Sequence, residues 1–386
     1  VASLTETIIN TSLPGVFDKG KGILDAVTVL VGTNLFDSWN SVAISRNMNS
    51  LCGGFSLSFT DKWKQSKSKW DLKPGETIHI KIGLEPVLTG YIDSLDVSIS
   101  NEDRTISISG RDKTADLIDC SAVHVPGEFK KLSISAIAAI LCLPFGVPVI
   151  SKLSPNPIIQ KWTIKEGESV FENLVRGASS VGALLLTDAL GNLLIENRAL
   201  SNAYDKSSTD LIQGENIISA SATYDNSDRY QSYAVKGQSS GDDFYNGAVI
   251  TAPTASASDQ GVLRYRPKVV IAEGNVDTTL AQSRANWEAN IRAAKAVNVR
   301  VTVQGWLKAN KTLWKVNELV RCTAPYVGID SDMLISGVSF NKSVDQGTTT
   351  TLTLTRQDAF NPAPSLAKSK DPTNNLGWDS VFASVI

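Results

Sequence analysis

The chain has few of the residues that enzymes and metal proteins depend on. Among 386 residues there are four cysteines, two histidines and two methionines. The cysteines, Cys52, Cys120, Cys142 and Cys322, are widely separated and form no CxxC pair, so they read as reduced, semi-buried small hydrophobes. A zinc site needs clustered Cys or His ligands, and His79 and His124 are the only histidines available. Neither belongs to a catalytic motif: His79 sits at an alternating position in IHIKI and is expected to face outward, and His124 lies in the probable loop AVHVPG. No HExxH or P-loop pattern appears. No apolar run reaches the ~18 residues of a membrane-spanning helix, so membrane insertion is not expected. The first residues also lack the basic start and apolar core of a secretory signal. Charge of one sign is missing as well. The net charge is -2, with the basic residues scattered, which argues against a dedicated nucleic-acid binder.

What the chain does have is β patterning. With 42% hydrophobic and 20% charged residues it can bury real cores. Residues 1–24 read as an arm broken by LPG. From Asp25 the runs AVTVLVG, SVAIS, GFSLSFT, ETIHIKI, YIDSLDVSIS and RTISIS predict a β domain over 25–112, in which Ile78, Ile80 and Ile82 alternate with polar neighbours. Residues 113–205 predict an α+β insertion. Ser133 caps a helix with the stripe Ile134, Ile137 and Leu141, stopped by LPFG. A second helix, ESVFENLVRGASS, turns Val170, Leu174 and Val175 inward, and ALLLTDALGNLLIE forms a hairpin. A second β domain follows over 206–360. It carries a long loop at 239–263 and a helix at 278–295, capped by Asp277, with Leu280, Arg284, Trp287, Ile291 and Ala294 along one side. Residues 361–386 form a linker ending in LGWDSVFASVI. Leu376 and the candidate interface residues Trp378, Val381, Phe382 and Ile386 are too apolar to stay in water, and they predict a docking segment.

The two β domains share an order of features. PGETIHIKI, GYIDSLDVSIS, NEDR and TISISGRD match VNELVRC, GIDSDMLISGVSF, VDQG and TTTTLTLTRQDAF, with Glu76 against Glu318, Gly90 against Gly337 and Thr105 against Thr351. The fold class expected is therefore β-rich α+β, with two related β-barrel, tube-like domains around an α+β insertion. Three such chains in a ring would present six similar modules, which suits an adaptor rather than a catalyst.

One acidic cluster needs weighing. GRDKTADLIDCSA places Asp112, Asp116 and Asp119 at helical spacing, as a metal or acid–base site might. The structural reading is stronger: Gly110, Arg111 and Asp112 form a corner, with Asp112 as N-cap and Asp116 near the positive end of the helix dipole. The loop DNSD, Asp225 to Asp228, reads as a turn because it lacks further calcium ligands.

GRDKTADLIDC, RANWEANIRAAKAVNVRVTVQGW, LWKVNELVRCTAPYVGIDSDMLISGV and GTTTTLTLTRQDAF, with YAVKG and YRPKVVIAEG, resemble the central baseplate hub proteins of contractile phage tails, specifically the Mu-like tail hub family. The match covers most of 27–360. The resemblance implies a homotrimer at the end of the tail tube, with pseudo-six-fold symmetry, assembled in the host cytoplasm into the virion baseplate. It implies tube proteins, a three-fold spike protein and other baseplate proteins as partners, with DNA only in transit through the axis. It brings no catalytic residues and no cofactor. A related hub domain occurs in type VI secretion spikes. A host-receptor or cell-wall adhesin is the other class to weigh, and it should show an aromatic-lined groove.

Overall fold

Alternation in the sequence becomes alternation in space. The structure, a computed structural model, describes residues 26–360 apart from 33, 37–38, 61–71, 100–103, 155, 182, 198–204, 239–253, 276–277 and 345. The first part holds β1 (Val27–Val31), β2 (Asn34–Phe36), β3 (Ser41–Asn47), β4 (Gly54–Thr60), β5 (Thr77–Ile82), β6 (Glu85–Ile99) and β7 (Arg104–Asp112). They pair antiparallel in the order β3-β4-β7-β6-β5-β1-β2. Val27, Val29 and Val31, Ile78, Ile80 and Ile82, and Ile106 and Ile108 all point into the core, as a period of two requires.

The chain then leaves the sheet through α1 (Ala115–Asp119), β8 (Glu128–Ser133), α2 (Ile134–Cys142), β9 (Val149–Ser151), β10 (Ile158–Thr163), α3 (Val170–Ser180), β11 (Ala183–Thr187) and β12 (Leu193–Asn197). Ser133 caps α2, its Oγ accepting from Ala136 N at 3.3 Å. Ile134, Ile137 and Leu141 form the buried stripe, and Leu143–Phe145 ends the helix as a 3-10 turn. Ser169 and Glu172 make a reciprocal capping box that starts α3. Val170 and Leu174 are buried, but Val175 is 38% exposed, so the inward stripe is narrower than expected. The predicted hairpin is β11–β12, and β9 adds to it in parallel. These elements enclose their own core around Phe129, Ile134, Trp162, Leu174 and Ile195.

The last part holds β13 (Asp205–Lys206), β14 (Leu211–Ile212), β15 (Ile217–Tyr224), β16 (Ser232–Gln238), β17 (Thr254–Ser258), β18 (Pro267–Asn275), α4 (Thr278–Lys295), β19 (Val297–Gln304), β20 (Glu318–Ala324), β21 (Ile329–Ser343) and β22 (Gly347–Thr355). The expected loop at 239–263 is interrupted by β17, which pairs with β16 through Ala255 and Ala257. On α4 the buried line is Ala281, Ala285, Glu288, Ala289, Ile291 and Ala294. Arg284 and Trp287 flank it, stacked on each other at 4.6 Å. The helix thus packs on β16 and β17 through alanines, because small residues allow close approach over the sheet. Asp277, the expected cap, lies outside the described residues.

The β-rich α+β class is as the sequence predicts. Strand patterning does not reveal that the two β parts share one sheet of 14 strands and one hydrophobic core. The joint is made by β21. Its first half, Ile329–Leu334, pairs with β20, while Gly337–Lys342 pairs antiparallel with Val42–Asn47 of β3. Along its other side it pairs with β22.

Candidate functional site

Each part is built around one long hairpin. β6 and β21 both have 15 residues, and β7 and β22 both have nine. Each long strand carries a bulge, at Asp93 in β6 and at Ser336 in β21. β4 and β3 follow β7 in the same antiparallel order in which β19 and β15 follow β22. The glycines Gly90 and Gly337 are not equivalent, correcting the expected match: Gly90 lies opposite Asp112, the last residue of β7, whereas Gly337 lies beside the bulge opposite Thr353.

The corner after β7 places its three residues by different means. Gly110 is required by close approach, since a Cβ there would lie 2.0 Å from Tyr91 O and 2.8 Å from the Phe55 ring. Gly90 is equally constrained, with a Cβ 1.9 Å from Arg111 O. Asp112 is fully buried. Its carboxylate accepts from Gly53 N at 2.7 Å, from Thr114 N at 2.9 Å and from Thr114 Oγ1 at 2.5 Å. It is therefore not the N-cap expected from the sequence: Thr114 holds that position, without a side-chain cap bond, and Asp112 ties the end of β7 to the loop before β4. Burial pushes the Asp112 carboxyl up, against the pull of these donors and of Arg46. Arg111 spans Asp93 at 2.8 Å and Asp119 at 2.7 Å on the surface, and these partners push it up. The Asp119 carboxyl is held below its ordinary value by Arg111, while burial followed by Asp119 raises Asp116. The three aspartates share no common point, and no group of metal-ligating residues occurs among the described residues.

The remaining candidates also have structural partners. His79 lies on the face of β5 turned away from the core residues Ile78 and Ile80, half-buried there, with Nδ1 3.3 Å from Thr89 Oγ1. His124 lies 4.7 Å from the Phe129 ring. In DNSD, Asp225 accepts from Ser227 N at 2.8 Å, and Asp228 pairs with Arg292 and Lys268. Cys142 and Cys322 are fully buried and Cys120 is exposed, so the semi-buried reading suits Cys52 alone. GQSSG, Gly237–Gly241, fits a GxSxG pattern; it begins at the end of β16, and Ser239 lies outside the described residues. Trp378, Val381, Phe382 and Ile386 also lie outside them.

The surface feature that stands out is a pair of strand edges. Among the described residues, the second half of β6, Ser94–Ile99, pairs with β7 alone, and Val97 and Ile99 are 68% and 73% exposed. Among the described residues, β15 pairs along its length with β19 and otherwise makes only an isolated bridge from Ile217 to Gln213, and its Ile218 and Tyr224 are exposed. In the equivalent positions of the joint, β21 and β3 are paired to each other. The sequence could not reveal these edges, because pairing depends on which strands become neighbours.

Comparison with known proteins agrees with this architecture. Residues 26–112 match the N-terminal domain model of the Mu phage baseplate assembly protein GpP-like family, residues 114–197 the second domain of gp44-like baseplate hub proteins, and residues 277–363 the fourth domain of GpP. The chain is 33% identical over 365 residues to the baseplate hub protein gp44 of Escherichia phage Mu, covering 92% of this chain and 93% of that protein. The 43 kDa tail protein of prophage MuSo2 from Shewanella oneidensis is 30% identical, with a TM-score of 0.77 over 88% of this chain and all of that one. The E. coli c3393 protein, a type VI secretion component described as similar to T4 tail proteins gp27 and gp5, shares the fold alone, at 12% identity and a TM-score of 0.53 over 84% of this chain and 76% of that one. The chain belongs to the Mu-like phage baseplate hub proteins, structural components of the phage tail.

Proposed function

We propose that three copies of this chain close into a ring that adapts a six-fold tail tube to a three-fold spike and leaves an axial passage for DNA. The observation that supports it is the pair of edges, on β6 and on β15 beyond Ile217, that have no strand partner among the described residues. Within one chain, the outer half of β21 joins β3. By the shared strand order, the outer half of β6 corresponds to that half of β21, and β15 corresponds to β3. Pairing β6 of one copy with β15 of the next would repeat the internal joint between chains. Six equivalent joints, three within chains and three between them, would then give pseudo-six-fold symmetry from a three-fold ring. Exposed strand edges are aggregation hazards, and closing the ring removes both. The Gly110–Arg111–Asp112 corner anchors the insertion beside β6 and has no chemical role in this reading.

Light scattering on the purified full chain tests the reading: three times the chain mass is expected, and a single-chain mass at high concentration would overturn it. Val97→Pro, placed on the β6 edge, should lower the mass to that of one chain while leaving the β circular dichroism intact.

A further inference from the structure

The two open edges can be set against each other residue by residue, because both β parts follow the same ladder. In the first part Val42 lies opposite Leu57, Leu57 opposite Ile108 and Ile108 opposite Leu95. In the second part Ala220 lies opposite Val301, Val301 opposite Leu352 and Leu352 opposite Val338. Ala220 is therefore the counterpart of Val42, and Leu95 that of Val338. The bulges agree, since Asp93 stands as far before Leu95 as Ser336 before Val338. The turns that follow the two strands agree as well. At the end of β3 Asn47 Oδ1 accepts from Asn49 N at 2.6 Å, and after β15 Asp225 Oδ1 accepts from Ser227 N at 2.8 Å. Asp225 stands as far beyond Ala220 as Asn47 beyond Val42.

At the internal joint Val338 faces Arg46, Phe340 faces Ile44 and Lys342 faces Val42. Carried to the open edges, these pairs become Leu95 with Tyr224, Val97 with Ala222 and Ile99 with Ala220. The side chains suit that register. Leu95, Ala220 and Ala222 pack on the core, and Val97 lies opposite the buried Ile106 on the same face. On the other face Ser94 meets Asp225, Asp96 meets Thr223 and Ser98 meets Ser221, polar against polar. A slip of one residue would set Val97 against Ser221 or Thr223 and mix the faces. A slip of two would keep the faces and misplace the bulge. Within the chain Met48 N donates to Ser336 O, at the bulge, at 2.8 Å. Only the transferred register aims the counterpart of Met48, Asn226, at the carbonyl of Asp93. We infer that Ser94–Ile99 is a binding site for Ala220–Asp225 of a second copy in this one register, with the small Ala220 and Ala222 leaving room for Ile99 and Val97. The inference rests on the head-to-tail pairing of β6 with β15 proposed above, and adds which residues meet.

Cysteine cross-linking on the full-length chain tests the register. The exposed native thiol is removed by Cys120→Ser in every variant. Asp96→Cys is then combined with Thr223→Cys, the matched pair, or with Ser221→Cys or Asp225→Cys, the pairs that a slip of two residues in either direction would bring together. All four positions are exposed, so the variants should fold, and circular dichroism checks that they do. Directly opposed residues of antiparallel strands have Cα atoms about 4.5–5.5 Å apart, within reach of a disulfide, whereas diagonal ones lie about 7–8 Å apart, beyond it. After mild oxidation the matched pair should move from the one-chain band to two- and three-chain bands on a non-reducing gel, and the slipped pairs should stay at one chain. Bands that shift for a slipped pair instead, or for no pair, in a protein whose light-scattering mass is three chains would overturn the register and leave the ring standing. A single-chain mass with no shifted band would overturn both.

Discussion

The two hairpins end in the same way on paper and differently in space. At the first exit, Asp112 is fully buried and its carboxylate holds three donors, so the chain is fixed where it turns into the insertion. At the second exit the anchor is a hydroxyl: Thr355 Oγ1 donates toward Ala294 O and Val297 O at 3.4 and 3.3 Å, and Asp358 is exposed in a 3-10 turn. The glycines differ in the same sense. Gly90 and Gly110 sit where no Cβ fits, whereas a Cβ on Gly337 would meet the Thr353 side chain at 3.3 Å, a contact that small shifts relieve. The contrast teaches that a shared strand order does not require shared anchoring. The first exit holds an inserted domain in place, whereas the second ties the end of β22 to the end of α4 and the start of β19.

Substitutions can break this contrast, beginning with the largest effect. Gly90→Val or Gly110→Val should prevent stable folding, with a loss above ~4 kcal/mol, because backbone rather than a flexible side chain is in the way. Gly337→Ala should cost ~1 kcal/mol or less, and urea denaturation of the three variants reads the difference. Next, Asp112→Ala should cost about 3 kcal/mol by stranding three donors, two of them backbone N–H groups, while Asp358→Ala should cost less than about 1 kcal/mol.

A smaller effect depends on pH. Burial raises the Asp259 carboxyl, but Arg229, at 2.8 Å, and the Gly261 N–H outweigh it and hold the group below its ordinary value. A carboxyl depressed in the folded state stabilises above its unfolded value, near pH 4, and that contribution fades as pH falls toward the folded value. Asp259→Asn should therefore lose about 1 kcal/mol at neutral pH and progressively less below pH 4, as thermal melts across pH would show. The smallest effect is kinetic. Burial pushes the Cys142 thiol up to about 12 and Cys322 up to about 11, so a thiol reagent should label exposed Cys120 first and reach these two only on unfolding.

Much of this was legible in the sequence, for physical reasons that can be named. Ile78, Ile80 and Ile82 announce a strand because one face of a sheet is buried, and Ser133 announces α2 because a helix start needs an acceptor. The corner at Asp112 is legible but its task is not, since an aspartate before a helix looks the same whether it caps the helix or reaches back to Gly53. The line of alanines on α4 is hard to read from sequence because Ala281 and Ala285 are weak hydrophobic signals beside Trp287 and Ile291. The β21–β3 joint leaves no local mark at all. It links residues about 300 positions apart, and only the fold makes them neighbours.

Amide hydrogen exchange on the assembled protein tests the ring most directly, because a strand paired on one side leaves half of its amides open to water. The proposed closure predicts that peptides covering Ser94–Ile99 and Ile217–Tyr224 are protected along their whole length, as fully as those of β3 and β21 at the internal joint. Rapid exchange of every second amide in both segments, in a protein whose internal joint stays protected, would contradict it.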